Sequence, residues 1–508
     1  MAAVCLYCVV LAMIAVVSIS AAAGLPRPPE RLKEEVFERT LHIDPLNPSS
    51  SRYAYLPFEV PLGCGRIKVG YEYDRTRNTV DLGLFDSRAT PSVESMMGFR
   101  GWSGGRRAEV MISRNEATPG YLPGDIPAGA WRVIFGLYKI SPDGADLKVR
   151  ITIETGPSTE AAVNGANNPD NNAGAVQVRT TNFAPSLPSV RGMKWFHGDL
   201  HMHTVHSDGD WTVDELATTA SGMNLDFIVV TDHNTMSHHR DIESRMARAR
   251  NPLLIRGEEV TTYGGHANAW GLPSGKVLDF RLTPGDVNGI AAIASDAHQQ
   301  GALISINHPF ALCGGCNWTY PSKLDSFDSI EVWNGAWDLT DEHSLRWWDE
   351  LLRAGRRITA VGSSDSHRPS NLLAVPTTHV LAASLTERQL LDGIKSGRVF
   401  VTATPEMNEL EFSAKTLGGS RHYMIGEEVP ATRGGKVRLS FRAGGIEAGS
   451  SVSLISNAGT IRRFQPVSSV IEESIDFQCA DTCFYRLEIR SKDNQMTAFT
   501  NPIYVKVQ

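Results

Sequence analysis

At 508 residues the chain is too long for one ordinary core, and a prior of about 100–200 residues per domain implies about three units. An apolar fraction of 42%, a charged fraction of 21% and a net charge of −7 fall in the ordinary globular range. They exclude a broad electrostatic footprint for nucleic acid, while leaving room for a nucleotide or a strand end in one cleft.

Residues 1–23 carry no charge, and Ala21, Ala22 and Ala23 stand before Gly24 as a signal peptidase requires, so this segment reads as a secretory signal peptide. No Lys or Arg precedes the apolar run from Ala2 to Ala23, which is long enough to span a bilayer; an uncleaved anchor is the other reading. Either way the body is expected outside the cytosol, because no second long apolar segment follows, and with the signal cleaved the mature chain is expected to have no membrane span. In an oxidising compartment the close pairs Cys313/Cys316 and Cys479/Cys483 are each expected to form a local disulfide, leaving Cys64 as a buried odd thiol.

Residues 24–52 are rich in Pro and read as a linker or surface arm. From 53 to 156 short β-rich runs alternate with Gly, Pro and Asp turns: Phe58 to Pro61, Arg66 to Tyr73, Thr79 to Phe85, Ala108 to Ile112, Trp131 to Tyr138 and Leu147 to Thr155. This predicts a β-sandwich-like domain, and with no His in it no catalysis is assigned to it. Residues 157–193, with Asn164, Asn167, Asn168, Asn171 and Asn172, form a polar linker that cannot bury enough apolar surface to fold alone.

Residues 194–404 alternate between strand and helix. Strands are expected at Lys194 to His197, Phe227 to Thr231, Leu253 to Arg256, Leu303 to Ile306, Ser329 to Trp333 and Ile358 to Gly362. Helices are expected at Thr212 to Ser221, Val287 to Gln300, Ser344 to Ala354 and Thr386 to Ser396. Residues 405–508 return to short β runs and read as a C-terminal β domain.

The usable ligands gather just after the strands of the α/β region. His201 and His203, at i and i+2 of a strand end, point to the same side and can reach one ion, and Asp208 follows one short loop later. Asp232 and His233 follow the second strand, Glu258 and Glu259 the third, with His266 and Asn268 beyond; His308 follows Leu303 to Ile306, and Asp365 and His367 close the set. A lone His after a strand is ordinarily hydrogen-bonded structure. Five such strand ends holding this much buried titratable chemistry would be costly without a cation. Neighbours on a strand face opposite ways, so only one of Glu258 and Glu259 is expected at the metals. Asp199 and Asp232 read equally as carboxylates that orient His ligands or as turn residues. His238 and His239 could face the cleft but read more simply as paired surface residues near a helix start, and Trp347 and Trp348 as helix packing. Trp333, Asn334 and Trp337 are either substrate lining or core, and Arg368 is a phosphate partner or an exposed ion pair.

The ordered motifs D-L-H-x-H-T, S-D-G, T-D-H, G-x-E, G-H, N-H-P and S-D-x-H resemble the PHP family, the polymerase and histidinol phosphatase domain, over about residues 194–404. With its flanking β domains and the Glu259 to His266 run, the chain is further similar to a secreted carbaryl-hydrolase-like branch of that family. The resemblance implies a distorted (β/α)7 barrel flanked by N-terminal and C-terminal all-β domains. It implies two or three divalent metal ions, zinc, manganese or iron. One would be held by His201, His203, Glu259 and Asp365; Glu259 would bridge to a second held by His266 and His308; Asp208, His233 and His367 would take a third. Many members have His where this chain has Asp208, and Asn268 is an alternative to His266.

A carboxylate bridging two cations lets a shared water lose its proton near neutral pH, so Glu259, Asp365 and Arg368 are the residues expected to act on substrate. The leading expectation is a phosphoesterase acting on small phosphorylated compounds or nucleotide ends. The alternatives are a carbamate or carboxyl ester hydrolase, and a non-enzymatic secreted binding module.

Overall fold

The computed structural model describes residues 33–47, 50–156, 192–320, 324–407 and 409–508. The signal peptide and all but the last two residues of the polar linker fall outside the described residues. Among the described residues no helix is long and apolar enough to cross a membrane.

The N-terminal unit is built from β1 (Lys33–Ile43), β2 (Tyr53–Val60), β3 (Cys64–Glu72), β4 (Thr79–Phe85), β5 (Phe99–Trp102), β6 (Glu109–Ser113), β7 (Gly129–Lys139) and β8 (Ala145–Thr155). Two sheets, ordered β1-β8-β3-β6 and β2-β7-β4-β5, share a core of inward residues such as Val69, Leu82, Val133 and Ile151. The arm expected at 24–52 is corrected in part: β1 pairs antiparallel with the whole of β8 and lays Phe37, Leu41 and Ile43 on the core. Its signal was hidden because an edge strand carries charge on its open side, here Glu34 and Glu38.

The middle region supplies β9 (Lys194–Asp199), α1 (Val213–Gly222), β10 (Phe227–Val230), α2 (His239–Arg248), β11 (Leu253–Thr262), β12 (Gly265–Trp270), α3 (Val287–Gln299), β13 (Leu303–Ile306), β14 (Ser329–Asn334), α4 (Leu339–Arg353), β15 (Thr359–Ser363), β16 (Thr377–Ala382), α5 (Glu387–Lys395) and β17 (Val399–Thr402). Its strands lie in the order β15-β14-β13-β12-β11-β10-β9-β16-β17. Two runs, β9-β10-β11 and β13-β14-β15, are parallel, whereas β12, β16 and β17 run antiparallel to their neighbours. The result is a mixed α/β unit, mostly sheet with few helices, and a barrel of seven βα repeats is not shown. From β15 to β16 the link is made by a side chain: Thr378 Oγ1 donates to Gly362 O at 2.6 Å and accepts Gly362 N at 3.0 Å.

The remaining strands are β18 (Leu410–Thr416), β19 (Tyr423–Met424), β20 (Glu428–Ala431), β21 (Lys436–Gly444), β22 (Ser451–Ser456), β23 (Gly459–Phe464), β24 (Val470–Gln478), β25 (Cys483–Arg490), β26 (Met496–Thr500) and β27 (Ile503–Val507). β26 pairs with β17, so the sheet that carries the ligands runs on into the C-terminal unit. Asn501 ties the two further, bonding Ala360 at 2.8 Å through both its oxygen and its nitrogen, and Arg486 is buried against Asp349 of α4 at 2.8 Å.

Two expectations inside these units fail for local reasons. Cys479 and Cys483 are unbonded, since the first follows β24 of one sheet and the second opens β25 of another. The helix expected from Ser344 begins at Leu339, because the Asp338 side chain caps it by accepting the amides of Thr340 and Asp341. Helix α2 was not expected: only His239 and Ile242 of it are buried, too thin a stripe to show as periodicity. It also buries His238 and His239, read as surface residues, at 0% and 1% exposure.

Candidate metal centre

The loops after β9, β10, β13 and β15 gather His201, His203, Asp208, His233, His308, Asp365 and His367, of which all but the fully buried His201 and His203 line one cleft. Glu259 and His266 arrive differently from what was expected. They sit within the β11–β12 hairpin, where Glu259 lies opposite Asn268 and His266 opposite Thr261. Glu259 is central and 1% exposed: its Oε1 is 3.1 Å from both His266 Nδ1 and His308 Nε2 and 3.4 Å from His201 Nε2, while Oε2 is 2.8 Å from His233 Nδ1. Glu258 faces the other way, accepting the Leu278 amide at 2.8 Å.

The Nε2 atoms of His201 and His203 are 3.1 Å apart, and Asp365 Oδ1 is 3.3 Å from the first and 3.0 Å from the second. This spacing is close to the ~3.3 Å edge of a tetrahedron with metal–nitrogen bonds of ~2.0–2.1 Å. Asp208 Oδ1 lies 3.5 Å from His233 Nε2, 3.3 Å from His367 Nε2 and 3.8 Å from His203 Nδ1. Every residue expected as a ligand thus belongs to one continuous constellation. Asn268 does not join it; its amide packs toward Leu200 O.

The supporting residues fix ring orientation. Glu331, a lone carboxylate in the apolar strand β14, places Oε1 3.0 Å from His201 Nδ1, and its Oε2 accepts the His308 amide at 3.0 Å. Sequence reasoning missed it, although an acid flanked by Ile330 and Val332 in a buried strand was a readable signal. His203 Nδ1 is 3.4 Å from Ser207 Oγ, which donates to Asp232 at 2.6 Å. Asp199 accepts the amides of Ser364 and Ala374 at 3.0 and 2.7 Å. Both aspartates are therefore fully buried anchors of the ligand loops. The Gly of S-D-G is also required, because a Cβ at Gly209 would fall 2.2 Å from His203 O.

Burial opposes charge throughout the cluster, yet Asp365, Glu259 and Glu331 together hold the His201 imidazole well above its usual value. Against the same burial, Asp208 and Glu259 raise His233, and Asp208 and Asp365 raise His367 to about 9. His203, buried beside His367 and His233, falls to about 4. The carboxylates of Glu259 and Asp365 are held well below the ordinary range despite burial, by His201 above all. Such a concentrated negative potential suits divalent cations, which would displace the protons the imidazoles otherwise bind. Two further observations fit. Asp365 Oδ1 is buried with no directed hydrogen bond, and His308 and Asp365 hold φ of 25° and 49°, a strained left-handed backbone of the kind kept at functional positions.

The cleft encloses about 660 Å³ above the ligands, and one wall is the N-terminal sandwich. Thr79, Asp81, Trp102, Ser103, Arg106 and Tyr138 line it, so the unit to which no catalytic part was assigned helps to form the site. Arg106 donates to Asp208 O and to Asp210 at 2.8 Å. Arg368, expected as the phosphate partner, is exposed and off the cleft wall. Of the Trp333, Asn334 and Trp337 group only Asn334 lines it; Trp333 is core. Cys313 and Cys316 are joined, as expected, and their loop lines the cleft with Asn317 exposed beside it.

No family model and no curated protein matches the chain. Among solved structures it is similar to a two-domain protein of Bacteroides vulgatus containing a predicted PHP-like metal-dependent phosphoesterase, at 19% identity over 65% of this chain and 100% of that one, with a TM-score of 0.37. An inferred metal-dependent phosphoesterase of Bifidobacterium adolescentis shows 17% identity over 34% of this chain and 90% of that one, at a TM-score of 0.27. An amidohydrolase of Chromobacterium violaceum with bound sulfate shows 17% over 34% and 87%, at 0.25. At these scores the functional reading rests on the site itself.

Proposed function

We propose that the chain is a metal-dependent hydrolase of the PHP type that cleaves phosphate esters of small molecules. The observation that carries this reading is the convergence of His201, His203 and Asp365 on one point, joined through Glu259 to His266, His308 and His233 and through His203 to Asp208 and His367. On this reading the sheet is a PHP barrel whose seam Thr378 bridges, and the run from Ala2 to Ala23 sends the protein out of the cytosol.

Bound at these residues, two or three zinc, manganese or iron ions would polarise the ester and acidify water. Three such ions would carry six positive charges against the carboxylates of Asp208, Glu259 and Asp365, an excess that favours an anionic phosphate. The protein's own groups do the positioning. Glu331 keeps the proton of His201 on Nδ1 so that Nε2 faces the cleft, and Ser207 does the same for His203. Arg106 clamps the Asp208 loop, and the sandwich supplies one wall of the cleft. A carbamate or carboxyl ester is the second reading, favoured by the aromatic wall of Trp102, Tyr138 and Tyr263.

The two readings separate on turnover of phosphate monoesters and diesters against carbamates and neutral aryl esters by the full chain supplied with each metal. Phosphate ester turnover above that of neutral esters is expected; turnover of neutral esters alone would replace the first reading by the second.

A further inference from the structure

Asp81 lies on β4 directly opposite Gly136 of β7, on the sandwich face that roofs the cleft. Gly136 has no side chain, and that lets the phenol of Tyr263, from the β11–β12 turn, reach across: a Cβ there would fall 2.1 Å from Tyr263 Oη and 2.7 Å from Trp102 Cη2. Tyr263 donates to Asp81 Oδ2 at 2.6 Å. Among the described residues Oδ1 accepts no hydrogen bond. It is flanked by the Gly104–Gly105 turn, where a Cβ on Gly105 would still be 3.5 Å away. Arg106, which follows that turn, bonds Asp208 and Asp210 instead. Burial pushes the Asp81 carboxyl up to about 6, against the pull of Tyr263 and His233, so its charge is under-compensated.

Three aromatic rings, Trp102, Tyr138 and Tyr263, line the same cleft, with the centroids of the two tyrosines 5.7 Å apart. A carboxylate oxygen without a donor beside several aromatic rings is the chemistry that recognises an organic cation. A hydroxyl would satisfy the lone pair but neither the charge nor the rings.

We propose that Asp81, with Trp102, Tyr138 and Tyr263, forms a subsite for an ammonium group on the alcohol portion of the substrate, so that the sandwich sets specificity while the metal centre holds the ester. The substrate class is then an amino-alcohol ester, and for the phosphate this rests on the reading above. The subsite itself does not depend on it.

The test compares kcat/KM of the full, metal-supplied chain on phosphoethanolamine, 2-hydroxyethyl phosphate and ethyl phosphate. It is paired with calorimetric titration of ethanolammonium and of ethanol into the same protein. A preference for phosphoethanolamine of about tenfold or more, carried by KM, is expected from one charge-assisted contact. In Asp81→Asn the ratio should fall to about one, and the saturable ethanolammonium binding should vanish. If Asp81→Asn does not fold, the wild-type ratio and titration decide. Should no phosphate ester turn over while ethanolammonium still binds and ethanol does not, the phosphoesterase reading fails and the subsite stands. Equal kcat/KM on all three esters, or no ethanolammonium binding, overturns the subsite.

Discussion

Glu331 stands 3.0 Å from the Nδ1 of His201, on the side of the ring away from the cleft. It also accepts the His308 amide and the Ser363 hydroxyl at 3.0 and 2.9 Å, so one buried carboxylate fixes three loops of the site. Replacing such a partner ordinarily costs about 10–100-fold in metal affinity or activity. Glu331→Gln is expected to lose activity in that range and to bind metal more weakly while keeping its fold, measured by chelator competition and circular dichroism. Unchanged metal affinity would mean that Glu331 supports the fold alone.

The two neighbours Glu258 and Glu259 should respond in opposite ways. Glu259→Gln replaces one oxygen of the carboxylate on which His201, His233, His266 and His308 converge by an amide donor and removes its charge, and should abolish metal binding and turnover together. Glu258→Gln should leave both nearly intact and change stability with pH. Burial holds the Glu258 carboxyl well above its usual 4.5, so the folded chain keeps a proton that the unfolded chain releases above that value. Wild-type stability from this group therefore falls as pH rises, whereas a glutamine is indifferent. Urea midpoints at pH 6 and 9 should show Glu258→Gln gaining on the wild type at the higher pH. A constant difference would mean that Glu258 is ionised in the folded chain.

Gly136→Ala tests whether the sandwich is keyed to the catalytic unit. The added methyl would press on Tyr263 Oη and Trp102, an overpacking that ordinarily costs about 1–3 kcal/mol. Reduced stability together with a raised KM is expected. Reduced stability with unaltered kinetics would separate the roof from the site.

The Cys313–Cys316 loop joins the same roof, since Tyr138 donates to Gly314 O. Reduction with a dithiol should raise KM, because the loop that lines the cleft is released, and should leave tightly held metal in place. Turnover of every substrate unchanged by reduction would make the bridge purely structural.

How much of this was readable depended on range. Ligands set by a strand and its following loop, such as His201 and His203 after β9 or His308 after β13, were legible because a period of two and an apolar run locate them. Glu259 was legible as a residue but not as part of a hairpin, since β12 is fully buried and its residues Gly265–Trp270 show no alternation. Glu331 was legible as a lone acid in an apolar strand, but neither its pairing with His201 nor the Asp81–Tyr263 bond was. Each joins residues more than a hundred positions apart, and local pattern says nothing of such pairing. Arg368 shows the converse: adjacency to His367 in sequence places it next to a ligand, while the folded chain leaves it exposed and outside the cleft lining.

The measurement that bears most directly on the whole account is the metal content of the purified full chain by elemental analysis, with activity followed before and after chelation and re-addition. Two or three divalent transition ions per chain are predicted, with hydrolysis lost on their removal and regained on their return. A preparation that hydrolyses its substrate with one ion or none, or whose turnover survives complete chelation, would contradict it.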